Sequence, residues 1–211
     1  MTKALFHWYP HKKYIIMLKV IKDARMIKLR LYELQQRYAL GNREFTNVDL
    51  SGLDLSGLNL KNINFQGAIL QGTNLQGTNL ERANFKGTNL TNCNLYRANL
   101  YGANLNYTNL VYSNLKEANF HRSIIENSCL DYVCLERTDF SEAHLRTLSV
   151  EGTQLTKTDL TDATLIDVNL SQAYLSEIYY SQLTKLCNCF QVEAISDQFF
   201  DDINKEMEFA V

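Results

Sequence analysis

Four histidines, five cysteines and a pair of matched aspartates are the residues of this chain best suited to chemistry. The histidines are His7, His11, His121 and His144, and none stands beside a cysteine or an acid at the spacing a metal site needs. Cys187 and Cys189 are one residue apart with no second pair to complete a tetrahedral zinc site; with Cys93, Cys129 and Cys134 they read as free thiols. Asp139 and Asp159 occupy equivalent places in a repeating pattern. Two aligned carboxylates could share a proton or hold a cation, but short acidic side chains in such places ordinarily bond the backbone of a turn. No glycine-rich loop leads into a helix to cradle a phosphate. The expectation is no catalytic residue, no cofactor, no metal and no enzyme.

What positions these residues is a five-residue beat. "ANLYGANLNYTNLVYSNL" places leucine at Leu100, Leu105, Leu110 and Leu115, a period that suits neither a helix nor a flat strand. From Phe45 to Leu175 there are 27 consecutive beats, of which 20 are Leu and five are Phe, with Ile125 and Val150 completing the set. Two residues before the beat, 19 of 26 sites are Ala, Ser, Thr or Cys. Between them sits mostly Asn. One large and one small side chain in every five must share an interior, and the other residues carry the chain round a corner. All eight glycines from Gly52 to Gly152 fall two residues after a beat, marking a turn that tolerates positive φ. Proline is absent from the stretch, as expected if backbone N–H groups bond between layers. Such a chain is a solenoid.

"RANLYGANL" resembles the pentapeptide-repeat family, whose pattern is A(D/N)LXX. The resemblance covers Phe45 to Leu175 and implies a mainly β fold, a right-handed quadrilateral β-helix with four pentapeptides to a coil. Charges support four sides: Lys61 and Glu81, Lys116 and Glu136, Arg122 and Glu142, and the series Arg97, Glu117, Arg137 all stand 20 residues apart. So do Phe45, Phe65 and Phe85, and Phe120 and Phe140. Bulkier residues interrupt the small column at Val48, Leu53, Leu58 and Ile63, and later at Val133, Leu148 and Val168. The bland reading is local repacking of a tolerant core.

The expected organisation is a short unassigned stretch at 1–16, an N-terminal capping helix at 17–41, a β-helix of about seven coils at 43–180, and a C-terminal cap or self-association segment at 181–211. Val20, Ala24, Ile27, Leu31, Leu34 and Tyr38 form the stripe of the capping helix, with Gly41 as its stop. Ser196, Phe199, Phe200, Ile203 and Met207 suggest a short C-terminal helix. Capping hides the open ends that an uncovered solenoid would expose. Net charge is -2 overall, but residues 1–44 carry ten Lys/Arg against three Asp/Glu, whereas residues 121–180 carry four against ten. No stretch is long and apolar enough to span a bilayer, and the odd cysteine count without a secretory signature suggests a cytoplasmic protein.

Function is then a matter of surface. The pattern suggests a non-catalytic scaffold or interaction module, taking an unknown protein partner, with no direct nucleic-acid contact, as a monomer or a dimer formed through the C-terminus. Tyr96, Tyr101, Tyr107 and Tyr112 put one tyrosine on each side of one coil, and Tyr132 falls one coil above Tyr112, beside Val111 and Asp131. Tyrosine is enriched at interfaces, although aromatic ladders also simply stabilise stacked strands. The family resemblance implies an alternative: some members mimic duplex DNA in shape and charge and bind DNA gyrase. Here Glu142, Glu151, Asp162 and Asp167 would be the acidic face, with like charges stacked at Asp131 and Glu151 and at Glu142 and Asp162.

Overall fold

A computed structural model describes residues 27–189. Its repeating unit is a rectangular coil of 20 residues, and each of its four sides contributes one parallel ladder. On the first side the rungs are Glu44, Asn64, Asn84, Asn104, Ile124, His144, Thr164 and Lys185. The second runs Asp49, Ile69, Asn89, Asn109, Cys129, Ser149; the third runs from Asp54 to Tyr174 and the fourth from Asn59 to Tyr179. Seven steps on the first side span roughly 34 Å at about 4.8 Å per step. Most rungs are single bridges. Three-residue strands form on the first side at Ile124–Glu126 (β3), His144–Arg146 (β4), Thr164–Ile166 (β6) and Lys185–Cys187 (β8), and on the third at Gln154–Thr156 (β5) and Tyr174–Ser176 (β7).

The beat residues fill the axis. Phe45, Phe65 and Phe85 stack with centroids 6.3 and 5.7 Å apart, and Phe120 lies 5.0 Å from Phe140. Each buried Leu or Phe contributes about 1.5–3 kcal/mol of transfer free energy. The small column does more than fill space. Its hydroxyls turn downward and donate to the beat carbonyl of the coil below: Thr73 Oγ1 to Leu50 O (3.0 Å), Thr88 Oγ1 to Phe65 O (2.8 Å), Thr138 Oγ1 to Leu115 O (2.9 Å). Asn between them does two jobs. Its Oδ1 accepts the N–H two residues on, as from Gln66 to Asn64, and its amide donates to the Asn one coil below, as from Asn84 to Asn64 at 3.0 Å. Asp139 and Asp159 take the first job, accepting the N–H groups of Ser141 and Thr161 at 2.8 Å.

Of the expected helix at 17–41, residues 17–26 lie outside the described residues, and the rest departs from it in part. The helix α1 is Leu31–Ala39, and Ile27–Lys28 is instead a strand (β1). The unpaired edge of the first coil explains this: β1 adds a parallel rung to Val48–Asp49 (β2), and the Leu29 N–H donates to Asp49 O at 2.9 Å. Satisfying that edge outweighs helical periodicity at Ile27. Leu34 of α1 is fully buried over the axis, and Tyr38 donates to Lys61 O. Gly41, at φ 87°, ends the helix as expected, with Asn42 N–H returning to Arg37 O.

At the other end the coil continues past the expected boundary at 180. Leu186 takes the interior place one residue late, because Thr164 pairs with Lys185 and not with residue 184. Thr184 keeps the pattern by donating to Leu160 O at 2.9 Å. One inserted residue hid this half-turn from a strict five-residue count. The expected C-terminal helix and the stretch 1–16 lie outside the described residues.

Candidate functional site

Every coil turns four corners, and the second residue after each beat from Phe45 to Leu175 sits at positive φ, with Gln172 the exception. Glycine suits that place, yet Tyr107, Tyr112 and Tyr132 occupy it at φ 60°, 62° and 57°. A non-glycine residue there carries about 1 kcal/mol of backbone strain or more, and its side chain is thrown outward from the corner. The tyrosines of the candidate band therefore point away from four different edges and do not form one continuous patch.

Three of them are locally engaged. Tyr96 donates to Glu117 at 3.3 Å beneath the Arg97 guanidinium, which stands 4.8 Å from its ring. Tyr101 lies against His121 with ring centroids 5.4 Å apart and accepts from Arg122 at 3.2 Å. Tyr107 is exposed, with the Lys86 ammonium 5.8 Å from its ring. The corner between the second and third sides is different. There Tyr112 and Tyr132 stack at 5.2 Å and 19°, both exposed (61% and 47%), with Val111 and Asp131 beside them. Tyr132 donates its hydroxyl to Glu151 at 2.6 Å, so the carboxylate holds the phenol protonated and raises its pKa. Asp131 accepts from Ser149 Oγ at 2.5 Å and from the Glu151 N–H at 2.9 Å.

The charge ladders expected at 20-residue spacing are present. Lys61 meets Glu81 at 2.8 Å, Lys116 meets Glu136 at 2.6 Å, Arg122 meets Glu142 at 2.8 Å, and Glu117 lies between Arg97 (2.7 Å) and Arg137 (3.8 Å). Hydrogen bonds from their cationic partners hold Glu117, Glu136 and Glu142 below the usual carboxylate range. The four residues of the candidate acidic face are dispersed. Glu142 and Asp162 share the corner after the fourth side, Asp167 lies on the corner between the first and second, and Glu151 beside Tyr132. Glu142 is matched by Arg122, Asp162 accepts from Ser181, and Asp167 accepts from Asn188 at 2.9 Å.

One feature beside the tyrosine stack has no counterpart on the other sides. The second ladder stops at Ser149: among the described residues no bridge joins it to Asn169, while the other three sides continue. The regular bonds from Val150 N–H to the Asn169 carbonyl and from Asn169 N–H to the Leu148 carbonyl are missing. Gly152 N–H goes to Gln172 O and not to the Ser171 carbonyl that the repeat prescribes. The cause is legible in the interior. Leu148 and Val168 are the one pair of bulky residues that fall directly above one another in the small column, and Val150 is the one Val beat. The extra side-chain volume spreads the two coils on that side. A small apolar cavity of about 30 Å³, lined by Leu148, Val150, Val168 and Leu170 among others, lies beneath. The Leu148/Val168 departure was visible in the sequence, but only stacking by 20 gives it a consequence.

Among the described residues there is no group of three or more His, Cys, Asp or Glu able to hold a metal ion, and no helix is long and apolar enough to cross a membrane. Burial pushes the Cys93 thiol up to about 12, and its hydrogen donates to Leu70 O, the part Thr plays elsewhere in that column.

Models of a pentapeptide repeat region and of pentapeptide repeats in eight copies match residues 42–120 and 134–177. No curated protein matches. Among solved structures, a pentapeptide repeat protein of the Arabidopsis thaliana thylakoid lumen shares 26% identity over 59% of this chain and 70% of that one, with a TM-score of 0.34. Another from Nostoc shares 27% over 49% of this chain and 85% of that one, TM-score 0.34. QnrB1, a plasmid-mediated fluoroquinolone resistance protein, shares 18% over 78% and 86%, TM-score 0.33. With the two sequence models covering most of the four-sided ladder, the chain belongs to the pentapeptide-repeat family.

Proposed function

We propose that this protein is a non-catalytic interaction module that presents the corner between its second and third sides to a protein partner. The stacked, exposed pair Tyr112 and Tyr132 carries this reading. Both sit at strained positive-φ positions where glycine would be easier, and Tyr132 is fixed by Glu151. Aromatic area already held in place loses little entropy on binding. Tyr96 and Tyr101, tied to charged neighbours within the rod, serve its stability. The alternative, a mimic of duplex DNA recognised by a DNA-binding protein, has less support. Such mimicry needs a continuous acidic field, and Glu142, Glu151, Asp162 and Asp167 are spread over three corners with Glu142 paired to Arg122.

The test compares affinity capture from native lysate by the full chain and by a Tyr112→Ala/Tyr132→Ala variant confirmed to fold. A protein retained by the parent and lost by the variant supports the reading. Equal capture by both removes the corner from the interface, and inhibition of gyrase supercoiling by the variant would favour the mimic.

A further inference from the structure

The broken rung on the second side opens onto two adjoining surface grooves. The first, about 790 Å³, runs from Tyr132 across Gly152 to Tyr174; the second, about 570 Å³, reaches the backbone at Leu148–Val150 and Asn169. Glu151 and Gln172 line both, which makes them one depression folded over the corner. Ser149 and Asn169 are exposed at its floor, and Tyr174 stands exposed at its far wall. Among the described residues no lysine or arginine lines either part, whereas Glu151 and Asp167 do. Neither carboxylate has a cation within ion-pair distance among the described residues, unlike Glu81, Glu117, Glu136, Glu142 and Glu177 on the same rod.

We propose that this depression is a docking slot for an extended peptide segment of a partner that carries an arginine or lysine. The inference rests on the interaction-module reading and specifies the kind of partner. Two observations point to this occupant. Among the described residues the Val150 and Asn169 N–H groups and the Leu148 and Asn169 carbonyls have no ladder partner, and unmade backbone hydrogen bonds are costly. An extended peptide supplies donors and acceptors in alternation, as an added strand does at any sheet edge. The wall then selects the side chain. Two carboxylates without cations among the described residues, Glu151 beside Tyr132 and Asp167 at the far end of the second part, fit guanidinium or ammonium groups by ion pairing, with Tyr132 and Tyr174 offering cation–π contact in the first part, and repel an acidic segment. The slot arises from stacked bulk at Leu148 and Val168, so it is built into the rod and exists before the partner arrives.

The full chain, isotope-labelled, is titrated with two blocked pentapeptides, acetyl-Val-Arg-Val-Arg-Val-amide and its Glu counterpart, in NMR experiments. The arginine peptide is expected to shift the Val150, Gly152 and Asn169 amides and to slow the hydrogen exchange of Val150 and Asn169. The Glu peptide should leave them unmoved. In Glu151→Gln/Asp167→Asn, surface changes that leave the core intact, the affinity should fall about tenfold or more. A second variant, Leu148→Ala/Val168→Thr, should close the rung, protect Val150 without peptide and abolish binding. Equal shifts from both peptides, shifts elsewhere on the rod, or no shift at millimolar peptide would overturn the slot. Lysate capture that still depends on Tyr112 and Tyr132 would then leave the interaction-module reading standing, so the two fail separately.

Discussion

The coils before Leu115 and those after Leu135 follow one pattern with different discipline. In the first, Asn holds nearly every place between small residue and beat. Its amides climb in continuous ladders, such as Asn74 to Asn94 to Asn114 at 3.1 and 3.4 Å. In the second the same places read Gln154, Tyr174, His144, Thr164, Ser149, and the amide ladders end. Leu90, Leu95, Leu100 and Leu105 are fully covered, whereas Leu145, Leu148, Val150 and Leu155 are 5–6% exposed. The regular half shows what repetition gives: each coil satisfies the next, and no side differs from another. The irregular half shows what departing from it gives, a side that can be told apart. A solenoid has no active-site cleft in which to place identity, so identity has to come from breaks in its own repeat.

Core truncation is the strongest way to break that comparison. On the second side, Leu90→Ala should cost about 4 kcal/mol or more, because the tight column cannot collapse into the space. Leu170→Ala, beside the existing cavity and the open rung, should cost about 2–3 kcal/mol. Chemical denaturation followed by amide exchange in each half would read both. Equal costs would mean that the two halves are packed alike.

Hydroxyl deletion comes next. Thr88→Val keeps the shape but leaves the buried Phe65 carbonyl without its side-chain donor, at a cost of about 1–2 kcal/mol. Val133 and Val168 show that the column accepts an apolar residue where the layers adapt. If Thr88→Val is neutral, the downward hydroxyl bonds are incidental to the fold.

How much of this could be read beforehand follows from the same contrast. The beat, the four sides and the charge ladders were open to inspection, because each depends on a fixed separation along the chain. Lys116 and Glu136 meet since 20 residues make one coil, and nothing else is needed. The start of α1 was missed because the demand of the first coil's edge for β1 is a tertiary fact. The strand β8 at Lys185–Cys187 escapes a strict five-residue count because one inserted residue breaks it. The candidate band joined tyrosines that share a coil, but a coil has corners, and only the pairing of Tyr112 with Tyr132 follows a ladder. The open rung needed two signals combined, the stack of Leu148 on Val168 and the small beat at Val150.

Glycine replacement sharpens the comparison at the corners. Gly57 and Gly152 have nearly the same φ, 66° and 63°, and either change to Ala adds about 1 kcal/mol of left-handed strain. Around Gly57 a methyl group meets open space, but at Gly152 it would stand 2.6 Å from the Tyr132 ring. Gly152→Ala should therefore also push the ring off its stack with Tyr112, seen as a change in the Tyr132 ring resonances that Gly57→Ala does not produce. Unchanged ring resonances would show that the stack does not depend on the glycine beneath it.

Acid titration should give the smallest effect, and it belongs to the middle of the rod. Glu117, Glu136 and Glu142 have pKa values lowered from an ordinary 4.5, each chiefly by a hydrogen bond from Arg97, Lys116 or Arg122. The folded protein therefore releases these protons more readily than the unfolded chain. Their stabilisation is fully present above about pH 4.5 and is lost as the pH falls through the lowered folded values. These side chains are partly exposed, so water and salt screen them and the loss should be modest. Amide exchange measured from pH 5 downward should show protection falling first in the coils that hold these pairs, between Arg97 and Glu142, and the fall should shrink in molar salt. Uniform loss along the rod would mean that the pairs only decorate a fold carried by its leucines. A loss confined to the paired coils would show that charge stacking secures the junction between the regular half and the irregular one, where the amide ladders run out.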